Sequence, residues 1–394
     1  MPFELRSHTI LLTVFGSRAY GTNTPESDVD VRGVAIAPAA YFHGFAQVFE
    51  QADSSEAMAP FRQDLTADEQ CVVDREGKLD GAVYDIRKFM RLAAASNPSI
   101  LEALFCREQE VRICTRAGRM LRDHRHAFLS RRVLATFSGY AQQQLRRIKI
   151  HRRWLTTPPI QQPTRAEFGL PPRPELPEHP RNAALAEIRK CRFDPDLSIL
   201  DVAQRAYVMG LFAERPVALG MTPEVEFAAT ARGLGYNENF LQQLGDERRY
   251  KLALIDWRAY LDWQRQRNPE RAELERRVGY DAKHASHLVR LLNAAKEILA
   301  TGDYAVFRPE AEQLRQVRAG NWTYGALLAW AQAAEGEARA IGAQSPLPPQ
   351  PDLAQLDALC VQIVQTALGS AAASAQTRAK PLPAKDSADS PPTT

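Results

Sequence analysis

The hydrophobic pattern changes period once along the chain. Up to about residue 86 it is strand-like. "TILLTVF" at 9–15 is β-branched and apolar and ends at a glycine, which reads as a buried strand running into a turn. In "DVDVRGVAIAP" the apolar positions Val29, Val31, Val34 and Ile36 sit among polar residues, predicting a second strand, and "GAVYDIRKF" predicts a third around Val83 to Ile86. Three such strands predict a small mixed sheet. The polar stretch "QADSSEAMAPFRQDLTADEQ" between the second and third gives no clear element.

From about residue 87 the period becomes helical. "RKFMRLAAAS" stops at Asn97-Pro98 and the pattern resumes in "SILEALF". "LATFSGYAQQQLRRIKIHRRW" predicts a long amphipathic helix, and the proline-dense stretch from Thr156 to Pro180 predicts an extended loop or linker. Helices are expected to restart at Asn182 and run through Trp257 and Trp263 and beyond. In "DAKHASHLVRLLNAAKEIL" the positions Ala285, Leu288, Leu292, Ala295 and Leu299 define a core-facing stripe. The final 25 residues are small, polar and proline-containing, too poor in apolar surface to repay ordering. The expected organisation is α+β: a small-sheet domain over 1–115, a larger all-helical domain over 116–345 with the proline-rich linker at 156–181, and a mostly disordered tail over 346–394. No internal repeat of fixed period is visible.

Composition narrows the class. At 394 residues and 45% hydrophobic the chain supports real cores. No window approaches the roughly 18 apolar residues of a membrane span, and the N-terminal stretch lacks a basic region leading into an apolar run, so no membrane association and a cytoplasmic location are expected. Cys71, Cys106, Cys114, Cys191 and Cys360 form no CxxC pair, which argues against a disulfide framework or a structural zinc site. A net charge of +3, from 50 basic and 47 acidic side chains, says little about partners.

Candidate chemistry concentrates in "VFGSRAYGTNTPESDVDV", residues 14–31. Gly16-Ser17 at the end of a strand leaves room for a phosphate against the backbone, with the Ser17 hydroxyl and the following amides as donors. Asp28 and Asp30, two apart on a strand, point to one face. Two carboxylates beside a phosphate cradle suit magnesium. A pair of metal ions roughly 3.5–4 Å apart needs a third carboxylate. Asp85 is the candidate, an acid in the third strand whose apolar neighbours oblige it to find a partner.

The combination of Gly16-Ser17, Gly21, Ser27-Asp28-x-Asp30 and a later strand aspartate resembles the nucleotidyltransferase signature of the DNA polymerase β superfamily. "FGSRAYGTNTPESDVDVRGV", "VYDIRKFMRLAAASNPSILEALF" and "GYDAKHASHLVRLLNAAKEILATGDYAVFR" are further similar to the RNA repair pathway DNA polymerase β family, and residues of about 155–260 then read as an insertion. The resemblance implies that Gly16 and Ser17 contact phosphate, with Ser27 in the same nucleotide-binding motif, and that Asp28, Asp30 and Asp85 hold two ions of magnesium or manganese. Arg18 and Arg32 stand beside the motif either as neutralisers of triphosphate charge or as ion-pair partners of the carboxylates. Lys283, His287 and Arg290, spaced four and three apart on one helix face, are expected to clamp the triphosphate or stack on its base. His284 and His287 offer a spacing for a metal, but no third His or Cys is near in sequence, so contact with phosphate or base is preferred.

Arg146, Arg147, Lys149, Arg152 and Arg153, followed by Trp154, have the charge density to follow a phosphodiester backbone and an aromatic to stack on a base. Trp257, Trp263, Trp322 and Trp330 read as core. The expected function is transfer of a nucleoside monophosphate from an NTP to a hydroxyl, an RNA or tRNA end, releasing pyrophosphate. Two alternatives stand beside it: nucleotidylation of a protein or small-molecule acceptor, and a non-catalytic nucleotide or RNA sensor.

Overall fold

The computed structural model describes residues 3–173, 238–267 and 269–378. Five strands form one mixed sheet: β1 (Thr9–Phe15), β2 (Asp30–Ala35), β3 (Gln51–Ala52), β4 (Asp80–Asp85) and β5 (Val111–Cys114), in the order β3-β4-β2-β1-β5. β1 runs antiparallel to β2 and β5, and β3 antiparallel to β4. β2 and β4 run parallel, with Asp30 beside Asp80 and Ala35 beside Asp85. The three strands expected from the alternation form the centre of this sheet. β3 and β5 carry no usable alternation because they are two and four residues long.

Helices follow from capping as much as from pattern. α1 is the single turn Ser17–Tyr20. Within the polar stretch after β2, Thr66 and Glu69 close a capping box that starts α2 (Ala67–Glu76). α3 (Ile86–Ala94) is capped by Asp85, and α4 (Pro98–Phe105) by Asn97 with Pro98 in its first turn, as the Asn-Pro dipeptide predicts. Then come α5 (Arg116–Asp123), α6 (Arg132–Thr156), α7 (Glu238–Gln266), α8 (Pro269–Val278), α9 (Ala282–Thr301), α10 (Ala311–Arg318), α11 (Tyr324–Gln344) and α12 (Leu353–Arg378).

Two compact units result: residues 1–155 with 272–394, and residues 156–271. In the first, the two faces of the sheet bury different cores. Leu12, Val14, Val31 and Val83 pack with Met58, Phe61 and Val72, while Leu11, Val34 and Ile36 pack against the helices, including the α9 stripe of Ala285, Leu288, Leu292 and Ala295. Leu299 of that stripe is fully buried as well. The arrangement is the α+β architecture of a small mixed sheet with a larger helical region. In the second unit, Arg165 pairs with Glu247, and Tyr260 of α7 lies between the half-buried Trp257 and Trp263.

One expectation is corrected. In place of a mostly disordered tail over 346–394, α12 occupies Leu353–Arg378. Leu356, Leu359 and Ile363, at steps of three and four, are buried in the helical core, which supplies the apolar surface that the last residues alone lack. Residues 379–394 and the helices expected from Asn182 to 237 lie outside the described residues. The linker is irregular over its described part apart from one short turn at Ala166–Phe168. Among the described residues no helix is long and apolar enough to cross a membrane.

Candidate active site

The site begins where β1 ends. Phe15 pairs with Asp30, so the turn leaving β1 starts beside the first residue of β2. Gly16 takes φ +74°, and a Cβ there would sit 3.0 Å from Oδ2 of Asp30. Both facts demand glycine. They also place the Ser17 turn directly against the carboxylate. Gly21 closes that turn at φ +74°, with Phe307 seated against it, and the Gly21 carbonyl accepts from Nη1 of Arg315 at 2.6 Å. The Tyr20 carbonyl accepts the Arg308 amide at 3.1 Å. The glycine-serine turn is thus held by the segment that follows α9.

A cleft of about 200 Å³ opens over this turn. Asp28 and Asp30, with Gly16 and Ser17, form one wall; Lys283, His287 and Arg290 of α9 and Arg318 of α10 form the other. The fold therefore unites candidate residues that stand more than 250 positions apart in the chain. Asp28 is exposed just before β2, and Asp30 is half-buried at its first position. Burial pushes the Asp30 carboxyl up to about 6, helped by Asp28 and Asp80 and opposed by Arg32 and Lys283. Burial and the cations Arg290, Lys283 and Arg318, with His284, hold His287 well below the ordinary histidine value, so it is a neutral donor and acceptor near pH 7.

Arg290 forms the floor. It is buried, stacks 4.0 Å over the Tyr20 ring and pairs with Glu102 of α4. Glu102 also accepts from Tyr20 Oη at 2.6 Å and Tyr304 Oη at 3.2 Å. Burial, above all, keeps both tyrosines protonated as donors. Arg290 keeps one buried donor, Nε, without a partner among the described residues.

Asp85 is not brought to this site. It pairs in register with Ala35, five strand residues from the Asp30–Asp80 pair, ~16 Å at the rise of a strand. Its carboxylate caps α3 by accepting the Arg87 amide at 2.9 Å and pairs with the Arg87 guanidinium at 3.0 Å. The buried acid found its partner, but the partner is Arg87. Asp80, which sequence reasoning missed, is the carboxylate beside Asp30, and it accepts from Lys78 Nζ at 2.8 Å. Asp28 and Asp80 are the two acids whose charge raises the Asp30 carboxyl, and a site built from these three residues would offer oxygen alone, the donor preferred by a hard divalent cation.

The remaining candidates have mostly structural places. Arg18 donates to the carbonyls of Asp28 and Ser27 at 3.2 and 3.0 Å, fixing the carboxylate loop. Ser27 is buried and accepts the Thr24 amide, closing a turn. Arg32 lies 4.8 Å over the Phe15 ring. On α6, Arg146, Arg147, Lys149 and Arg153 are exposed, whereas Arg152 donates to the Gly279 carbonyl and covers the Tyr324 ring. Trp154 is buried and stacked on His151, so it offers no platform for a base. Trp322 and Trp330 pack edge to face on each other, half-buried against the core.

The strand order, the glycine-serine turn and the Asp-x-Asp pair at the start of β2 all fall within one recognised segment. Residues 4–156 match the RNA repair pathway DNA polymerase beta family. No curated protein and no solved structure matches the chain. The family segment spans the whole sheet and α1 to α6, hence the entire carboxylate wall. It supports a polymerase β-like nucleotidyltransferase of an RNA repair pathway. The cationic wall, on α9 and α10, lies beyond the matched residues.

Proposed function

We propose that the chain is a metal-dependent nucleotidyltransferase that moves a nucleoside monophosphate from an NTP to a hydroxyl, an RNA end, with release of pyrophosphate. The single observation that carries this reading is the opposition of walls: a carboxylate set beside the glycine-serine turn faces Lys283, His287, Arg290 and Arg318 across one cleft. Asp28, Asp30 and Asp80 would hold the divalent ions, magnesium or manganese. A bound ion supplies neutralisation of phosphate charge and acidifies the acceptor hydroxyl.

The protein's own groups do the rest. Gly16 lets a phosphate approach the backbone, and the Ser17 hydroxyl donates to it. Lys283, Arg290 and Arg318 hold the triphosphate and stabilise charge that builds on the leaving pyrophosphate. Neutral His287 hydrogen-bonds without adding charge. The exposed arginines and lysine of α6 are the surface offered to RNA.

The test is incorporation of labelled NTP into RNA or tRNA by the full chain with magnesium. Transfer is expected with the wild type and is lost in Asp28→Ala and Asp30→Ala; undiminished transfer in both variants overturns the reading. Label found by mass spectrometry on a protein or small alcohol, and none on RNA, would assign the same chemistry to another acceptor.

The raised Asp30 carboxyl gives this reading a pH signature. Cation binding requires the carboxylate, so affinity is full above the Asp30 value of about 6 and falls as pH drops through it. Manganese titration followed by electron paramagnetic resonance should show affinity roughly tenfold lower at pH 5 than at pH 7.5. A flat profile would remove Asp30 from the ligand set.

A further inference from the structure

The two adjacent histidine candidates of α9 part company. His287 faces the cleft, while His284 turns toward Asp281, the residue that caps α9 by accepting the His284 amide at 3.0 Å. A third group arrives from α6, 130 positions earlier: Nδ1 of His151 lies 3.1 Å from Oδ2 of Asp281. Nε2 of His284 lies 3.5 Å from the same oxygen. One donor atom from each residue falls within 4.8 Å of the others.

We propose that His151, Asp281 and His284 form a binding site for a borderline transition-metal dication, zinc above all. Three features of the geometry point there. Ligands about 2.0–2.1 Å from zinc in a tetrahedron stand about 3.3 Å apart, and the two nitrogen-to-oxygen separations bracket that value. Two imidazoles with one carboxylate are a set selective for zinc or a neighbouring first-row metal over magnesium, which prefers oxygen alone. Finally, Nδ1 of His284 lies 2.7 Å from Oε1 of Gln144. Donation to that oxygen fixes the tautomer and turns the lone pair of Nε2 toward the Asp281 carboxylate. Two facing lone pairs repel, and a cation between them resolves the conflict; the outer-shell acceptor on a ligating histidine is the usual arrangement at such sites.

Asp281 is 2% exposed, and its carboxylate is already engaged by His151 Nδ1 at 3.1 Å and by the His284 amide at 3.0 Å. A metal here pins α6 to the first turn of α9, one residue from Lys283 and three from His287. Its role is to brace the cationic wall of the cleft, apart from the ions of the carboxylate wall.

The experiment uses the full chain, stripped by chelator and titrated with Zn²⁺ and separately with Co²⁺ alone. The expected result is one tight equivalent of Zn²⁺, a visible tetrahedral Co²⁺ spectrum and a higher melting temperature, all retained in Asp28→Ala/Asp30→Ala. His151→Ala and His284→Ala should weaken Zn²⁺ binding at least ~100-fold. Asp281→Asn, which keeps a side chain able to cap α9, should weaken it as well. Should the wild type bind no Zn²⁺ at micromolar metal, or should the histidine variants bind as tightly as wild type, the three residues are a proton-linked brace and the proposal fails. The wild-type arm decides the question even if a variant does not fold.

Discussion

Asp80→Asn should lower nucleotide transfer by roughly 10³-fold, the scale on which a preorganised charged group at a phosphoryl site acts, while Asp85→Asn leaves the rate near wild type. The contrast follows from register alone. β2 and β4 are parallel, so the first aspartate of β4 stands beside the first aspartate of β2, and Asp85 stands at the other end beside Ala35. The Asp85→Asn side chain would still cap α3, as asparagine and aspartate cap equally well, and would lose only the ionic part of its contact with the half-exposed Arg87. Its cost should be about 1–2 kcal/mol of stability, read as a modest fall in melting temperature. Single-turnover rates and thermal melts on the two variants separate the roles. A rate collapse in Asp85→Asn with a silent Asp80→Asn would mean that the reacting groups are assembled in some other way.

The second large effect lies beneath the cleft. Glu102→Ala should destabilise the chain by about 3–5 kcal/mol, because it leaves the Arg290 guanidinium buried without its counter-charge and takes the acceptor from two buried tyrosine hydroxyls. At roughly 2–4 °C per kcal/mol for a folded unit of this size, the melting temperature should drop by about 10 °C. Pairing Glu102→Leu with Arg290→Met should recover the part of that loss due to the uncompensated charge, leaving the two tyrosine hydroxyls without their acceptor. The double variant is nevertheless expected to bind NTP poorly, because Arg290 also forms the floor of the site. A drop of under ~2 °C in the single variant would show that Arg290 is solvated from the cleft side and needs no partner.

The sequence makes some of this visible and hides the rest for physical reasons. A strand buried on both faces reads as a continuous apolar run, as β1 does, and one with a more polar face reads as an alternation, as β2 does, whereas the two-residue β3 is too short to show either. The glycine-serine turn and the Asp28-x-Asp30 spacing are local, so their partnership needs no knowledge of topology. The third carboxylate does. "LDGAVYD" offers two aspartates five apart, necessarily of opposite parity, and choosing between them requires knowing that β4 lies parallel beside β2. Asp85 reads as the better candidate because apolar neighbours make it an acid in need of a partner; that premise holds, and a helix cap satisfies it. Similarly, the spacing of Lys283, His287 and Arg290 puts them on one face, but nothing local reveals that Arg290 is matched by Glu102, 188 positions earlier. Arg318 and the third ligand-bearing residue beside His284 escape for the same reason: each arrives from another helix.

That separation has a consequence for how the molecule is made. Synthesis proceeds from the N-terminus, so the sheet and α4 leave the ribosome with Glu102 facing a gap, and the whole unit of residues 156–271 must follow before the helix bearing its arginine emerges. At roughly 5–20 residues per second, the nascent sheet spends on the order of 10–40 seconds with an apolar face and a buried acid both uncovered. During that interval the half-built domain is a natural client for a chaperone, and truncation anywhere before α9 should yield insoluble chain rather than a smaller folded protein.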